Sequence, residues 1–364
     1  MINVTFKVVK YIHKWDEEIK KYEFWNIYQT TIWAKYMKEM FYAKPYFLKI
    51  FLNNRTIWHL IFFEKSVLAE NNVNLGIGFI NKLLYILWFK RLWWQIWPLL
   101  INTLKLEVEK IVINKLLKFI LDNFPKVKIL PSSYYFLADF LGLQDKKWSK
   151  VFWGYNVKLR QTYLFDYKNC DNDVLGCLSK KTRYKLRKQL NLLDVFVLHQ
   201  EKLFKYNSDL CLFDCLGELN KSDINYFINQ YNNILKEDKR NLWHQLPPHY
   251  INRKAYKLLK NNSYLVIISK KGKESEILWW ASFFYFNNIS HFAAPWILPK
   301  YKTNTFFVGD LIQLWALEFW RYLGIEKYDL MGVAYSPSNL KEQWIKKFKK
   351  KYSNVEKNYY YFSN

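Results

Sequence analysis

Hydrophobic positions along the chain fall into helical and extended rhythms that alternate from end to end. Between Phe24 and Phe41, apolar residues recur at Ile27, Ile32, Tyr36 and Met40, the spacing of one helical face. Tyr46–Leu52 and Thr56–Phe63 are short apolar runs on either side of Asn53-Asn54, which predicts two antiparallel strands joined by a tight turn. Leu104–Asn123 returns to the helical period, with Val108, Ile111, Val112, Leu116 and Phe119 on one face. Pro125 ends that helix, and Val127–Leu130 reads as a short strand. The chain turns extended again over Gly154–Asp166.

A second unit then begins. A helix is predicted over Val174–Leu192, with further helical stretches over Asn207–Leu219 and Asp223–Leu235. Pro247-Pro248 interrupts the pattern before a helix that runs to Lys260, so no long paired-helix arm is expected. Tyr264–Ser269 is extended and leads to a Lys271-Gly272 turn. Ile277–Pro299 carries no charge for 23 residues, formally enough to cross a bilayer. Its two aromatic runs are divided by Asn287-Asn288 and followed by Pro295 and Pro299, so a buried β-hairpin is predicted instead. Leu83–Ile101 is broken by Lys90 and Arg91 and is assigned to core packing. The mix of Trp, Lys and Arg around Leu87–Trp97 leaves open a peripheral contact at the inner face of a membrane. A helix at Asp310–Tyr322, a strand at Tyr328–Met331 and a basic C-terminal stretch complete the chain. Ile113–Leu130 and Ile312–Leu330 each run helix then strand, about 200 residues apart, which suggests two similar α/β domains meeting near residues 150–160.

Composition agrees and adds a charge. Hydrophobic residues make up 51% of 364, with only 10 glycines and 9 prolines, which excludes disordered and collagen-like chains. Lys and Arg number 56 against 31 Asp and Glu, a net charge of +25 with a pI near 9.6. An excess of this size suits a polyanionic partner, although an AT-rich coding sequence would enrich Lys together with Asn, Ile, Phe and Tyr. The densest segment is Ser179–Gln189, where six of the nine residues from Lys180 to Lys188 are basic. Arg183 and Arg187 are four apart and share a helical face. Like charges at that spacing repel, and are best tolerated opposite an anion; a merely solvated face is the plainer reading. Ser179 or Thr182 is placed to cap this helix, whose N-terminus itself favours phosphate. A second cluster, Lys346, Lys347, Lys349, Lys350 and Lys351, surrounds Trp344, Phe348 and Tyr352.

Four cysteines, at 170, 177, 211 and 215, do not make a disulfide framework. Cys211 and Cys215 are one helical turn apart without a second Cys/His pair, so reduced, packed thiols are expected and no metal. The N-terminal segment lacks the uninterrupted apolar core of a signal peptide, which places the chain in a reducing cytosol. G-x-S-x-G, H-E-x-x-H, Walker A and G-x-G-x-x-G patterns are all missing, and no cofactor is implied. His244 and His249 flank Pro247-Pro248, a break that argues against a helical metal pair.

Three ordered motifs carry a family resemblance. Gln29-Thr-Thr-Ile-Trp33-Ala34-Lys35 is the first; Thr162–Asp166 followed by the basic helix Ser179–Lys188 is the second. Gln313 with Trp315-Ala316, then Tyr328-Asp329-Leu330-Met331-Gly332, then Phe348-Lys349, is the third and most specific. Together they resemble the Fem-type aminoacyltransferases that build peptidoglycan interpeptide bridges. The resemblance implies two tandem GNAT-like domains, 1–155 and 156–364, each a mixed, mostly antiparallel sheet flanked by helices. It implies transfer of an amino acid from an aminoacyl-tRNA donor to an amine of a phosphorylated muropeptide or similar envelope precursor. Lys35 and the basic helix, with Arg183, Arg187 and Lys188, match segments that bind the phosphorylated substrate, and Trp33 and Tyr328, in the matched motifs, are expected to bind substrate too. Phe348-Lys349 matches a pair linked to the reacting end of the tRNA. The chain departs from the family pattern at Trp97-Pro98, where Gly-Pro is usual, and at Met331-Gly332, where Gly-Gly is usual.

Aminoacyl transfer requires stabilisation of a tetrahedral oxyanion, a task for a fixed cation such as Lys349. Set beside Phe348, its ammonium is expected to be oriented by cation–π attraction. Asp329, at a strand end, is a candidate acceptor for the amine's proton and equally a turn former. Two other readings stand beside this one: an acyl-CoA-dependent GNAT N-acyltransferase, and a non-catalytic protein that binds RNA or a membrane surface. The acyl-CoA reading lacks a Q/R-x-x-G-x-G/A turn, since Thr305-Phe-Phe-Val-Gly309 stands before the Asp310 helix.

Overall fold

A computed structural model describes residues 2–22, 27–41, 43–66, 90–94, 99–100, 106–124, 128–131, 156–170, 174–190, 192–207, 212–237, 253–297 and 308–363. The chain forms two compact units. One comprises residues up to 161 with 334–336 and the segment from 357; the other comprises 162–333 with 337–356. The division falls inside a strand, between Gln161 and Thr162.

The first unit is built on strands β1 (Val4–Val9), β2 (Lys44–Leu52), β3 (Arg55–Ser66), β4 (Lys90–Trp94), β5 (Leu99–Leu100) and β6 (Lys128–Pro131), with helices α1 (Trp15–Ile19), α2 (Thr31–Phe41) and α3 (Leu106–Asn123). The order is β1-β2-β3-β4-β6, with β5 pairing β3. Asn53 and Asn54 turn β2 into β3 at φ 47° and 66°, the left-handed region that two-residue hairpins need and asparagine tolerates. Gln29 explains why a polar residue opens the α2 motif. It is fully buried, and its side-chain oxygen accepts the Ile61 N–H of β3 at 2.6 Å. Its backbone carbonyl takes the Trp15 indole N–H at 2.9 Å.

The second unit carries strands β8 (Leu193–His199), β9 (Lys202–Asn207), β10 (Leu212–Glu218), β11 (Ser263–Lys270), β12 (Lys273–Phe286), β13 (Ile289–Ile297) and β14 (Lys327–Asp329), together with parts of β7 (Asn156–Asp166), β15 (Val333–Ala334) and β16 (Val355–Ser363), whose remaining residues are counted in the first. Its helices are α4 (Val174–Cys177), α5 (Lys180–Leu190), α6 (Lys221–Glu237), α7 (Arg253–Leu259), α8 (Val308–Tyr322) and α9 (Leu340–Lys351). The sheet runs β10-β9-β8-β11-β12-β13-β14-β7. The uncharged segment is the predicted hairpin, β12 and β13, with Asn287 at φ 55° in its turn. It needs apolar residues on both faces because both are covered. Trp279 and Phe283 pack with α8, while Ile277 and Trp280 pack with α6 and α7. Among the described residues no helix is long and apolar enough to cross a membrane.

The rhyme between the halves has a structural basis. In one unit α3 precedes β6, which pairs parallel with β4; in the other α8 precedes β14, which pairs parallel with β13.

Three expectations are corrected. The helix predicted over Asn207–Leu219 is replaced, in its described part, by β10 (Leu212–Glu218) paired antiparallel with β9, with Phe213 buried and Leu212 and Leu216 exposed, so the apolar residues do not form one buried helical face. The helix predicted from Val174 breaks at Leu178-Ser179 into α4 and α5. Cys170 and Cys177 form a disulfide rather than free thiols, their Cα atoms 6.3 Å apart and within bridging range. Cys215 is free and exposed, not packed, and Cys211 lies outside the described residues. So do Trp97-Pro98, His244, His249 and most of Leu83–Ile101.

Candidate active site

The sheet of the second unit opens where β13 and β14 part. Their parallel register is Ile289 to Lys327, Ser290 to Tyr328 and His291 to Asp329. β14 then ends, while β13 continues to Ile297 still paired with β12. At this fork Asp329 is fully buried. Its Oδ1 accepts the Thr162 hydroxyl at 2.7 Å and the Met331 N–H at 2.8 Å, and its Oδ2 lies 3.5 Å from His291 Nδ1. Met331 stands at φ 66°, a conformation costly for a residue with a long side chain. The Asp329 carboxylate, accepting two residues on, holds that turn.

The turn in turn holds Lys349. From α9, its Nζ donates to the Met331 carbonyl at 3.0 Å and the Gly332 carbonyl at 3.3 Å. These carbonyls hold the ammonium, and among the described residues the expected cation–π contact with the Phe348 ring is not formed. Phe348 stacks on Trp344 at 5.3 Å and faces Tyr352 at 5.4 Å. Its ring also covers the start of α8, 3.2 Å from where a Cβ on Gly309 would stand, so a side chain there would require the ring to give by a few tenths of an ångström. Next to Gly309, Asp310 Oδ1 accepts from Lys351 Nζ at 2.8 Å and from the Tyr352 hydroxyl at 2.7 Å. Burial, then the Asp310 charge, pushes that phenol well up. Two sequence-predicted residues, Asp329 and Lys349, are therefore brought together around one turn, while Phe348 packs over the start of α8.

The other predicted residues are placed differently. Tyr328 is buried, its hydroxyl donating to Gln313 Oε1 at 2.7 Å, and burial followed by the Asp329 charge holds the phenol far above its usual range. Trp33 is at 0% exposure, edge-on to Tyr28 at 4.9 Å, and so supports α2 from within. Lys35 is exposed on α2 of the first unit. Ser179 caps α5, accepting the Thr182 N–H at 3.3 Å. The Arg183 guanidinium reaches back to the Gly176 carbonyl at 2.9 Å, while Arg187 and Lys188 are exposed. Leu186 anchors the opposite side of the helix at 0% exposure.

His291 and Thr162 were absent from the sequence-level candidates. A histidine inside the otherwise apolar run ISHFAAPWILP was the available signal; Thr162 joins Asp329 only through the pairing of β14 with β7. Among the described residues no group of His, Cys, Asp and Glu is arranged to hold a metal.

The sequence matches no family model and no curated protein. Its fold does match solved structures. A structure of FemX aligns over 99% of this chain and 98% of its own, with TM-score 0.64 at 10% identity. The fold is FemX-like. A tandem GNAT protein from the clavulanic acid biosynthesis pathway aligns over 99% of this chain and 98% of its own, with TM-score 0.51 at 6% identity. The mixed α/β, tandem GNAT-like architecture expected from the motifs is therefore the observed one.

Proposed function

We propose that this chain is an N-acyltransferase that moves an amino acid from aminoacyl-tRNA to an amine of a phosphorylated cell-envelope precursor. The observation that carries this reading is the ammonium of Lys349 fixed on the Met331-Gly332 turn, where β13 and β14 separate. In the reaction the amine nitrogen bonds to the ester carbonyl carbon and the ribose oxygen leaves. The amine's proton ends on the departing ribose hydroxyl, and Lys349 opposes the charge of the tetrahedral oxyanion. The ester is already activated, so a strong base is not required. Asp329, without exposed surface, serves as a positioning residue: it holds Met331, whose carbonyl holds Lys349. Arg183, Arg187 and Lys188 on α5, and Lys35 in the first unit, supply cations for the precursor's phosphates.

The start of α8 supports this reading over the acyl-CoA one. A helix N-terminus attracts pyrophosphate. Here the Asp310 carboxylate already sits in the first turn and Phe348 covers Gly309. The test is incubation with charged tRNA plus a phosphorylated precursor and, separately, with labelled acetyl-CoA. A new amide in the first mixture alone is the expected result. Acetyl transfer in the second would favour the acyl-CoA reading, and tight tRNA binding without product in either would make the chain a binding protein. Mass spectrometry of envelope precursors, with and without the protein, identifies the acceptor; unchanged precursors would remove the envelope from the reading.

A further inference from the structure

A cavity of about 240 Å³ opens at the start of β8, walled by β8, β9, β10 and Trp315 of α8. It takes no part in the site above. From β8 to β14 the sheet order crosses β11, β12 and β13, four steps of strand spacing or about 19 Å.

Its polar groups divide into those already satisfied and those that are not. Asp194 is committed: Oδ2 accepts the Gly272 N–H at 2.9 Å, and Oδ1 lies 3.3 Å from Lys205 Nζ. That bond fixes the Lys271-Gly272 turn against the cavity. Asp214 is half-buried and uses one oxygen, Oδ2, to accept from Asn207 Nδ2 at 3.1 Å; its other oxygen takes no hydrogen bond among the described residues. Lys271 stands at the rim with its ammonium in no ion pair among the described residues. The indole of Trp315, which lines the cavity, is 1% exposed, and its N–H is buried without an acceptor among the described residues. An orphaned buried donor costs about 1–3 kcal/mol, so a cavity wall that carries one is suited to receiving an acceptor. Among the described residues, one carboxylate oxygen, one ammonium and one indole N–H thus remain unmatched on three residues that line a single small space.

We propose that this cavity binds a free α-amino acid. The ligand's ammonium pairs with Asp214, and its carboxylate takes Lys271 and the Trp315 N–H. The volume sets the size: it lies below the roughly 300 Å³ at which drug-sized pockets begin, and excludes a nucleotide. Opposite charges on the wall select a zwitterion over a simple anion or amine. This site goes beyond the transfer reaction and does not depend on that reading.

The test uses the full chain and isothermal titration calorimetry with glycine, L-alanine and L-lysine. Sodium acetate and ethylamine serve as half-ligand controls. The indole N–H resonance of Trp315, identified by its loss in Trp315→Phe, gives a local readout. The expected result is saturable amino-acid binding that moves this resonance, with both half-ligands weaker. Asp214→Asn and Lys271→Met should each weaken binding about tenfold or more, the loss of one charged contact. Lys271 is exposed on a turn, so its variant keeps the test valid should Asp214→Asn unfold. Absence of binding, acetate binding as tightly as the amino acids, or unchanged affinity in Lys271→Met would each overturn the proposal.

Discussion

Lys349 is one of five lysines between positions 346 and 351, and charge density gives no reason to prefer it. Its contacts do. Lys350 pairs with Glu356 at 2.8 Å and Lys351 with Asp310 at 2.8 Å, whereas Lys349 alone of these three is shown on the carbonyls of the fork turn. Replacing it with Met should lower single-turnover aminoacyl transfer by about 10²–10³, the usual consequence of removing one oxyanion stabiliser. Lys346→Met and Lys347→Met should change the same rate by no more than a few-fold. Equal losses in all three would make the cluster a general electrostatic surface. The Phe-Lys pair was legible because it lies within one short motif. His291 and Thr162 were not, because they meet Asp329 through strand pairings across 38 and 167 residues, which no local pattern encodes. Asp329 itself was visible with two roles open, and its burial favours the turn-holding one.

Elements whose signal is local were read correctly, and those that depend on a distant partner were not. The β12–β13 hairpin announces itself by an Asn-Asn turn between aromatic runs. The β9–β10 hairpin carries apolar residues at spacings that also suit a helix, and only pairing with β8 decides between them. Polar contacts between elements were equally hidden. In the first unit, His59 of β3 joins α1 and β2. Its Nδ1 meets the Tyr22 hydroxyl at 2.5 Å and its Nε2 meets Glu18 at 2.9 Å, while Glu18 also contacts Lys49. Burial lowers the His59 pKa to about 4, opposed by the hydrogen bond to Glu18. A histidine with a folded pKa below its unfolded 6.5 binds fewer protons when folded. Stability from this residue is therefore complete above pH 6.5 and declines as pH falls toward 4, by up to about 3 kcal/mol. His199, also lowered by burial, acts in the same direction, so the informative quantity is a difference. Urea unfolding at several pH values should show a shallower acid decline in His59→Gln than in the parent, while His13→Gln, at an exposed position, should leave the slope unchanged. Parallel slopes for His59→Gln and the parent would mean that His59 does not titrate differently on folding.

At the scale of the molecule the repeated architecture was legible from a repeated helix-then-strand pattern, and both units use it to place a parallel strand pair. The net charge of +25 was legible too, but a count has no address. Three of the basic residues that the sequence singled out lie on α5, whose apolar side is fixed by Leu186 and whose start is capped by Ser179. Ordered phosphate contacts and a diffuse positive field make different predictions. A diffuse field weakens equally when any two exposed charges are removed, whereas each direct phosphate contact contributes about one unit to the slope of log affinity against log salt. The paired variant Arg183→Met with Arg187→Met should therefore reduce that slope by about two for the phosphorylated substrate it binds, and raise its KM several-fold. Removing the same two charges at Lys7 and Lys118, both exposed in the first unit, should leave slope and KM close to those of the parent. Because both pairs change net charge identically, any difference between them measures position rather than charge. If the two pairs behave alike, α5 is a solvated face and the phosphate site lies elsewhere.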